Sequence, residues 1–302
     1  MLIFFDKNYY SADFFFKNKF GKKVYKISID AGFTCPNRDG SISSSGCIFC
    51  SPRGSGDFCS STALSITNQI SEGIKKIHAK NTNGLLLPYF QAFTNTYAPV
   101  DTLRAMYEEA ISYPGAVGVA IATRPDCLSD DVIELLSDLS QRTYVQVELG
   151  LQTIHDDIAF FINRGYDLKS FEYNYYRLRK LNVHIVIHQI IGLPGETIDD
   201  YKFFIRYISA IKADGIKIQM LHIMKDTLLE QYHIKNPVHC MSINQYIDTV
   251  SELLTIIEPG IVIHRLTGDA PWKTLIEPQW STDKKRILNG IQAKLKLSLN
   301  NK

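Results

Sequence analysis

The chain predicts an α/β fold built on a parallel sheet, and three observations carry that reading. Short apolar runs alternate with helical patterns from residue 24 to about 223. The spacing between runs leaves room for helices, and a helical crossover between parallel strands is right-handed and buries the sheet on both faces. No internal repeat or low-complexity segment interrupts the alternation, and the composition, 45% hydrophobic and 21% charged, is that of a globular protein.

Strands are expected at 24–30, 85–93, 117–123, 144–150, 183–191 and 216–223. Helices are expected at about 60–80, 99–113, 129–140, 154–163, 168–181 and 197–213. Two of them show the basis. In LSDDVIELLSDLS, Ser129 caps the start and Asp130 and Asp131 favour the positive helix end, while Val132, Leu135, Leu136 and Leu139 form one apolar stripe. In GETIDDYKFFIRYI, Thr197 is the cap, and Ile198, Tyr201, Ile205 and Ile208 form the stripe. Beyond residue 223 the alternation weakens. A helix at about 243–257 leads into EPGIVIHRLTGDAPW, a strand ending in a polar turn, and a last helix at roughly 283–297 is basic on one face. With no Pro-, Gly- or Ser-rich linker, the division is an N-terminal segment (1–23), a core (24–223) and a C-terminal extension (224–302) packed on the core.

Composition narrows the class further. No uncharged apolar run reaches the length of about eighteen residues that a transmembrane helix needs. The aromatic start, MLIFFDKNYYSADFFFKNKF, is interrupted by Asp6, Lys7 and Asp13 and lacks the parts of a signal peptide. A cytoplasmic protein without membrane attachment is expected, where six cysteines favour thiol or metal chemistry over a disulfide frame. The net charge of +2 is too small to imply nucleic-acid binding by itself. Both ends are nevertheless basic, the tail through Lys284, Lys285 and Arg286 in particular. Such charges either meet phosphates or keep the protein soluble.

The first predicted strand runs into YKISIDAGFTCPNRDGSISSSGCIFCSPRGSGDF, which holds Cys35, Cys47 and Cys50 in the spacing C-x11-C-x2-C. The last two sit in a tight turn, so three sulfurs can converge on one soft or borderline metal centre. Structural zinc closes with four protein ligands, whereas a catalytic centre keeps a position open, and no second C-x2-C or H-x3-5-H completes a zinc site here. Arg38 and Asp39 read as an ion pair bracing this loop. In YVQVELG, Glu148 lies in a strand buried on both faces and must be compensated, by a polar ligand or by a neighbouring cation.

These cysteines, followed by YFQAFTNTYAP, ATRPD, VELGLQT, NRGYD and HQIIGLPGET, resemble the radical S-adenosylmethionine enzymes, in the branch of the YhcC/YtqA-type proteins and the Elongator radical subunit. The motifs span nearly the whole chain, although the commonest C-x3-C-x2-C spacing of that superfamily is absent. The resemblance implies a partial (β/α)6 barrel of parallel strands, a choice that periodicity alone leaves open against a doubly wound sheet. It implies a 4Fe–4S cluster on Cys35, Cys47 and Cys50, with S-adenosyl-L-methionine on the fourth iron. An electron donor such as flavodoxin or ferredoxin then triggers a 5′-deoxyadenosyl radical that takes hydrogen from substrate.

Further implied cofactor contacts are Phe49 beside the cluster and Thr94, Asn95 and Thr96 in place of the usual G-G-E. Arg124 or Arg164 would serve the carboxylate, Glu148 and Gln152 the methionyl group or ribose, and His188, Gly192 and Leu193 the pocket and adenine. Each has a structural alternative: a capped turn for 94–96, pairing of Arg124 with Asp126, an ion pair for Glu148, and a plain loop at 192–193. Kinship with Elongator makes tRNA wobble uridine the first substrate expected. A small molecule or peptide is the second, and a non-catalytic cluster- or zinc-binding RNA adaptor the third. Elongator's acetyltransferase chemistry is not implied.

Overall fold

The computed structural model describes residues 7–78 and 84–300, with no side-chain description at 78, 299 and 300. The first six residues of the predicted N-terminal segment, the predicted helix end at 79–80 and residues 301–302 lie outside the described residues.

The chain begins with α1 (Ala12–Phe20), then follows β1 (Val24–Ile29), α2 (Ile66–His78), β2 (Leu85–Phe90), α3 (Val100–Ile111) and β3 (Gly118–Thr123). α4 (Asp130–Arg142), β4 (Tyr144–Gln152), α5 (Asp156–Phe161), α6 (Leu168–Leu178), β5 (His184–Ile191), α7 (Ile198–Ala210) and β6 (Gly215–Met220) complete the alternation. The extension adds β7 (Ile223–Met224), α8 (Leu228–Lys235), α9 (Ile243–Ile256), β8 (Val262–Arg265), β9 (Leu275–Glu277) and α10 (Lys284–Asn300). One sheet of seven parallel strands runs in the order β1-β2-β3-β4-β5-β6-β8. It is curled into a half-barrel, since Lys26 on edge strand β1 and Lys217 on β6 both reach Glu148 on β4. No described helix is long and apolar enough to cross a membrane.

The period of two along each strand sorts the side chains. Ile27, Ile29, Val119, Ile121, Val145, Val147, Ile185, Ile187, Ile216 and Ile218 face the helices and form the main core. The alternate positions carry the polar or small residues, including Lys26, Ala122, Gln146, Glu148, His188 and Lys217. The helices supply the other half of the core. The predicted stripe of α4 is buried at all four positions, and Ser129 accepts from the Val132 amide. In α7 the Thr197 amide donates to Asp200 at 2.7 Å, and Tyr201, Ile205 and Ile208 are buried together with Phe204.

Three features differ from the sequence reading. The strand expected in the extension does not merely pack on the core but joins it as the seventh strand of the sheet, with Gly215 beside Val262 and Lys217 beside Arg265. The helix expected from residue 60 starts at Ile66, because the Ser65 hydroxyl accepts from the Asn68 amide and caps it there. The N-terminal segment contains a helix, α1, capped by Ser11 and closed by Gly21. Phe16 of that helix packs with Leu87, Tyr89 and Ala120, with Phe15 and Phe20 around them, stoppering the barrel at the end where its strands begin.

Candidate active site

The loop between β1 and α2 crosses the carboxyl ends of the strands, where parallel barrels place their chemistry. A turn closes it at Cys47–Cys50, the Cys50 amide donating to the Cys47 carbonyl at 3.0 Å. Gly46 makes the approach with positive φ, 74°, and a Cβ there would lie 2.9 Å from Arg38 Nε. The expected ion pair of Arg38 with Asp39 is replaced by a different brace. Arg38 donates to the carbonyls of Cys50 and Ser51 at 2.9 and 2.7 Å, while Asp39 accepts from the Ser41 amide. A second loop locks the turn from below. Asn37 donates to the Asn163 carbonyl at 2.5 Å, Asn163 donates to the Gly46 carbonyl at 2.7 Å, and the Ile48 amide donates to the Ile162 carbonyl at 3.0 Å.

Cys35, Cys47 and Cys50 all line one cavity of about 260 Å³, and all three thiols are free. Burial pushes the Cys47 thiol up to about 12, with Cys50 adding to it and Arg124 opposing it; burial raises Cys50 as well. Burial thus keeps both thiols protonated, and a metal bound there would take the place of those protons. Among the described residues no three His, Cys, Asp or Glu side chains are grouped to hold a metal ion. Three thiols lining one chamber are nevertheless the donor type that an iron–sulfur cluster takes. Cys59, Cys127 and Cys240 are not among the lining residues.

The strand ends supply the polar wall. Phe49, Thr94, Arg124, Glu148, Gln152, Arg164 and His188 line the same cavity as the cysteines. Gln152 adopts positive φ, 61°, and its buried Oε1 has no hydrogen-bond partner. Arg164 is 1% exposed and donates to the carbonyls of Leu151, Thr153 and Tyr166 at 2.6, 2.7 and 2.9 Å. Its Nη2 has no hydrogen bond and lies 3.5 Å from Asp156. Arg124 is already gripped by Asp126 through contacts of 2.9 and 2.6 Å and donates to the Arg164 carbonyl. Its guanidinium thus braces the site, which was the structural alternative.

Four expected contacts are not brought to the cavity. Asn95 donates to the Ala122 carbonyl at 2.9 Å, and Thr96 lies 2.5 Å from the Thr123 hydroxyl and donates to the Cys127 carbonyl at 2.6 Å. Both knit β2 to β3, because the polar turn is short and its side chains fold back on the backbone. The Gly192 amide donates to the Tyr201 hydroxyl, and Leu193 is buried in a separate apolar cluster with Ile190 and Leu221. On the far helix, Lys284 is ion-paired with Asp269, whereas Lys285 and Arg286 are exposed.

At the base of the cavity Glu148, 1% exposed, takes five partners. Lys26 and Lys217 form ion pairs with it, Tyr89 and Gln146 donate at 2.7 Å, and His188 Nε2 lies 2.9 Å away. Burial alone would raise its pKa, but Lys217, Lys26 and His188 outweigh that and hold it well below the usual carboxylate range. Burial lowers His188 to about 4, so the imidazole is neutral at pH 7 and donates from Nε2. Glu148 is thus satisfied from within the barrel. Sequence reasoning raised that possibility for Glu148 but missed its partners. The signal was available: a lysine at the centre of each of the apolar runs VYKISI and GIKIQM.

A Radical SAM superfamily model matches residues 35–208, and a Radical_SAM C-terminal domain model matches residues 213–297. The chain belongs to the radical SAM superfamily, whose members use a 4Fe–4S cluster and S-adenosylmethionine. Its relatives define the branch more narrowly. It is 40% identical over 290 residues to YtqA of Bacillus subtilis, covering 96% of this chain and 90% of that one. It is 34% identical over 263 residues to YhcC of Escherichia coli, covering 87% and 84%. The structure of Methanocaldococcus infernus Elp3 with an N-terminal deletion matches with a TM-score of 0.67 at 16% identity. That match covers 90% of this chain and 63% of Elp3, and it is a likeness of fold.

Proposed function

We propose that Cys35, Cys47 and Cys50 hold the cluster at this cavity, and that the chain is a cytoplasmic radical enzyme acting on tRNA wobble uridine. The observation that carries the chemistry is the meeting of three free thiols with polar strand ends in one chamber. When bound, the cluster and S-adenosylmethionine supply, after one-electron reduction by a donor such as flavodoxin or ferredoxin, a 5′-deoxyadenosyl radical for hydrogen abstraction.

The chain's own residues provide the setting for that chemistry. Phe49 shields the sulfurs, and the unpartnered Oε1 of Gln152 is an acceptor for an ammonium group. Nη2 of Arg164, which has no hydrogen bond and faces Asp156 at 3.5 Å, is a donor for a carboxylate, with Arg124 and Asp126 holding its loop in place. The apolar stopper at α1 keeps water from the barrel's other end. Kinship with Elongator and the exposed Lys285 and Arg286 favour RNA as substrate.

Anaerobic reconstitution tests the chemistry. About four irons per chain are expected, as a 4Fe–4S centre requires, and 5′-deoxyadenosine should form only with reductant and S-adenosylmethionine together. Stoichiometric zinc without cleavage would instead mark an RNA adaptor. For the substrate, nucleosides in tRNA from cells with and without the gene are compared, and an unchanged profile removes tRNA.

A further inference from the structure

The wall of the cavity formed by β6 and β8 has more positive than negative charge. It presents Lys217 and Arg265, and the carboxylates these meet, Glu148 and Asp269, are each shared with a second cation, Lys26 of β1 and Lys284 of α10, from outside the lining. Lys217 and Arg265 are register partners on β6 and β8, so both side chains leave the sheet on its inner face. Lys217, 4% exposed, Arg265 and Asp269 all line the cavity. His222, at the end of β6, lines it too, and its buried Nε2 has no hydrogen-bond partner. The imidazole is seated close to backbone: a Cβ on Gly268 would lie 2.2 Å from its Cε1. Burial, Arg265 and Lys284 lower His222 to about 4, so at pH 7 it offers one neutral N–H. Burial also pulls Lys217 down, Glu148 opposes this, and Lys26 and Arg265 reinforce it. A buried ammonium beside a half-buried guanidinium, with an imidazole nitrogen left without a partner, is a costly arrangement that an arriving acceptor would relieve.

We propose that Lys217, Arg265 and His222 form an oxyanion receptor for a carboxylate or phosphoryl end group that the substrate presents to this cavity. The proposal rests on the reading of this cavity as the radical site and adds the chemical class of what that site accepts. Lys217 and Arg265 lie on β6 and β8 and His222 just beyond β6, on the opposite side of the same cavity in sheet order from β1, whose following loop carries the cysteines. An RNA backbone does not fit the assignment, because the ammonium of Lys217 is sunk in the barrel interior where only a slender end group can follow.

The test is calorimetric titration of the reconstituted protein, without reductant, using sodium acetate and inorganic phosphate as separate probes in low-chloride buffer. Saturable one-site binding of at least one probe is expected, and which one binds decides between carboxylate and phosphoryl. Losing a charged hydrogen bond should weaken binding about tenfold or more in Arg265→Gln, with a smaller loss in His222→Phe. Lys217→Met should abolish binding, and should it fail to fold, the other two variants still decide. Absence of saturable binding by either probe, or unchanged affinity in both Arg265→Gln and His222→Phe, overturns the proposal. So does an equal loss of S-adenosylmethionine affinity in Arg265→Gln, which would give these cations to the cofactor. A weakened affinity for a tRNA transcript with acetate and phosphate binding intact would also overturn it. Because these titrations need no turnover, their failure is separate from any failure to form 5′-deoxyadenosine.

Discussion

The two ends of the half-barrel are made from the same strands and have opposite characters. Where the strands begin, Phe15 stacks on His184 with ring centroids 4.8 Å apart, Phe16 and Phe20 meet Tyr144 edge-on, and His184 and His264 share a 3.0 Å hydrogen bond. Where the strands finish, thiols, arginines and a glutamine with a spare acceptor line an open chamber. The Glu148 network lies between them. The difference shows that stability and chemistry are divided along the strand axis, and that one buried carboxylate is the hinge of the division. A buried ion network is weak evidence for stability, since taking its charges out of water offsets most of their attraction. Breaking it from one side is the expensive event.

The division can be broken from either end. Cys47→Ala should remove cluster assembly entirely while leaving the denaturation midpoint near wild type; iron retained in that variant contradicts the cysteine assignment. Glu148→Gln strands the buried Lys217 and the half-buried Lys26 and should cost about 3–5 kcal/mol in urea denaturation. The pH profile carries the same signature. Glu148 has a depressed folded pKa, so its contribution to stability is full above the ordinary carboxylate value and is lost as pH falls below it. Wild type should therefore lose more stability than Glu148→Gln on acidification, and parallel profiles would show the network to be inert.

Phe16→Ala should cost about 3 kcal/mol by emptying the stopper, with iron content preserved. Loss of iron on the scale of Cys47→Ala would dissolve the distinction between the two ends. The smallest effect belongs outside the barrel. Neutralising Lys285 and Arg286 should make the salt dependence of RNA binding shallower, by about 0.7–0.9 in log–log slope for each side chain that had met a phosphate. Neutralising Lys284, already paired with Asp269, should alter it less. An unaltered slope in both variants assigns these charges to solubility.

The strands were legible because parallel strands buried on both faces leave apolar runs in the sequence, and the cysteine turn was legible because its spacing is local. The position of β8 was not. EPGIVIHRL reads as a strand, but pairing with β6 is a contact across some forty residues that no local pattern encodes. The helix α1 was obscured by three consecutive phenylalanines, which carry no helical period and find their partners inside the barrel. Glu148 was flagged because a lone carboxylate in a buried strand needs an explanation. Lys26 and Lys217 were open to the same reasoning, but their meeting depends on the curl of the sheet. The spare atoms on Gln152, Arg164 and His222 depend on where every neighbour ends up, and no sequence pattern reports that.

The late arrival of β8 has a consequence for synthesis. While the ribosome is still translating the extension, β6 is a bare margin, a template for mispairing with other nascent chains. Arg265 is on the strand that finally covers it. The chamber is therefore walled on that side only once the residues up to Arg265 have emerged.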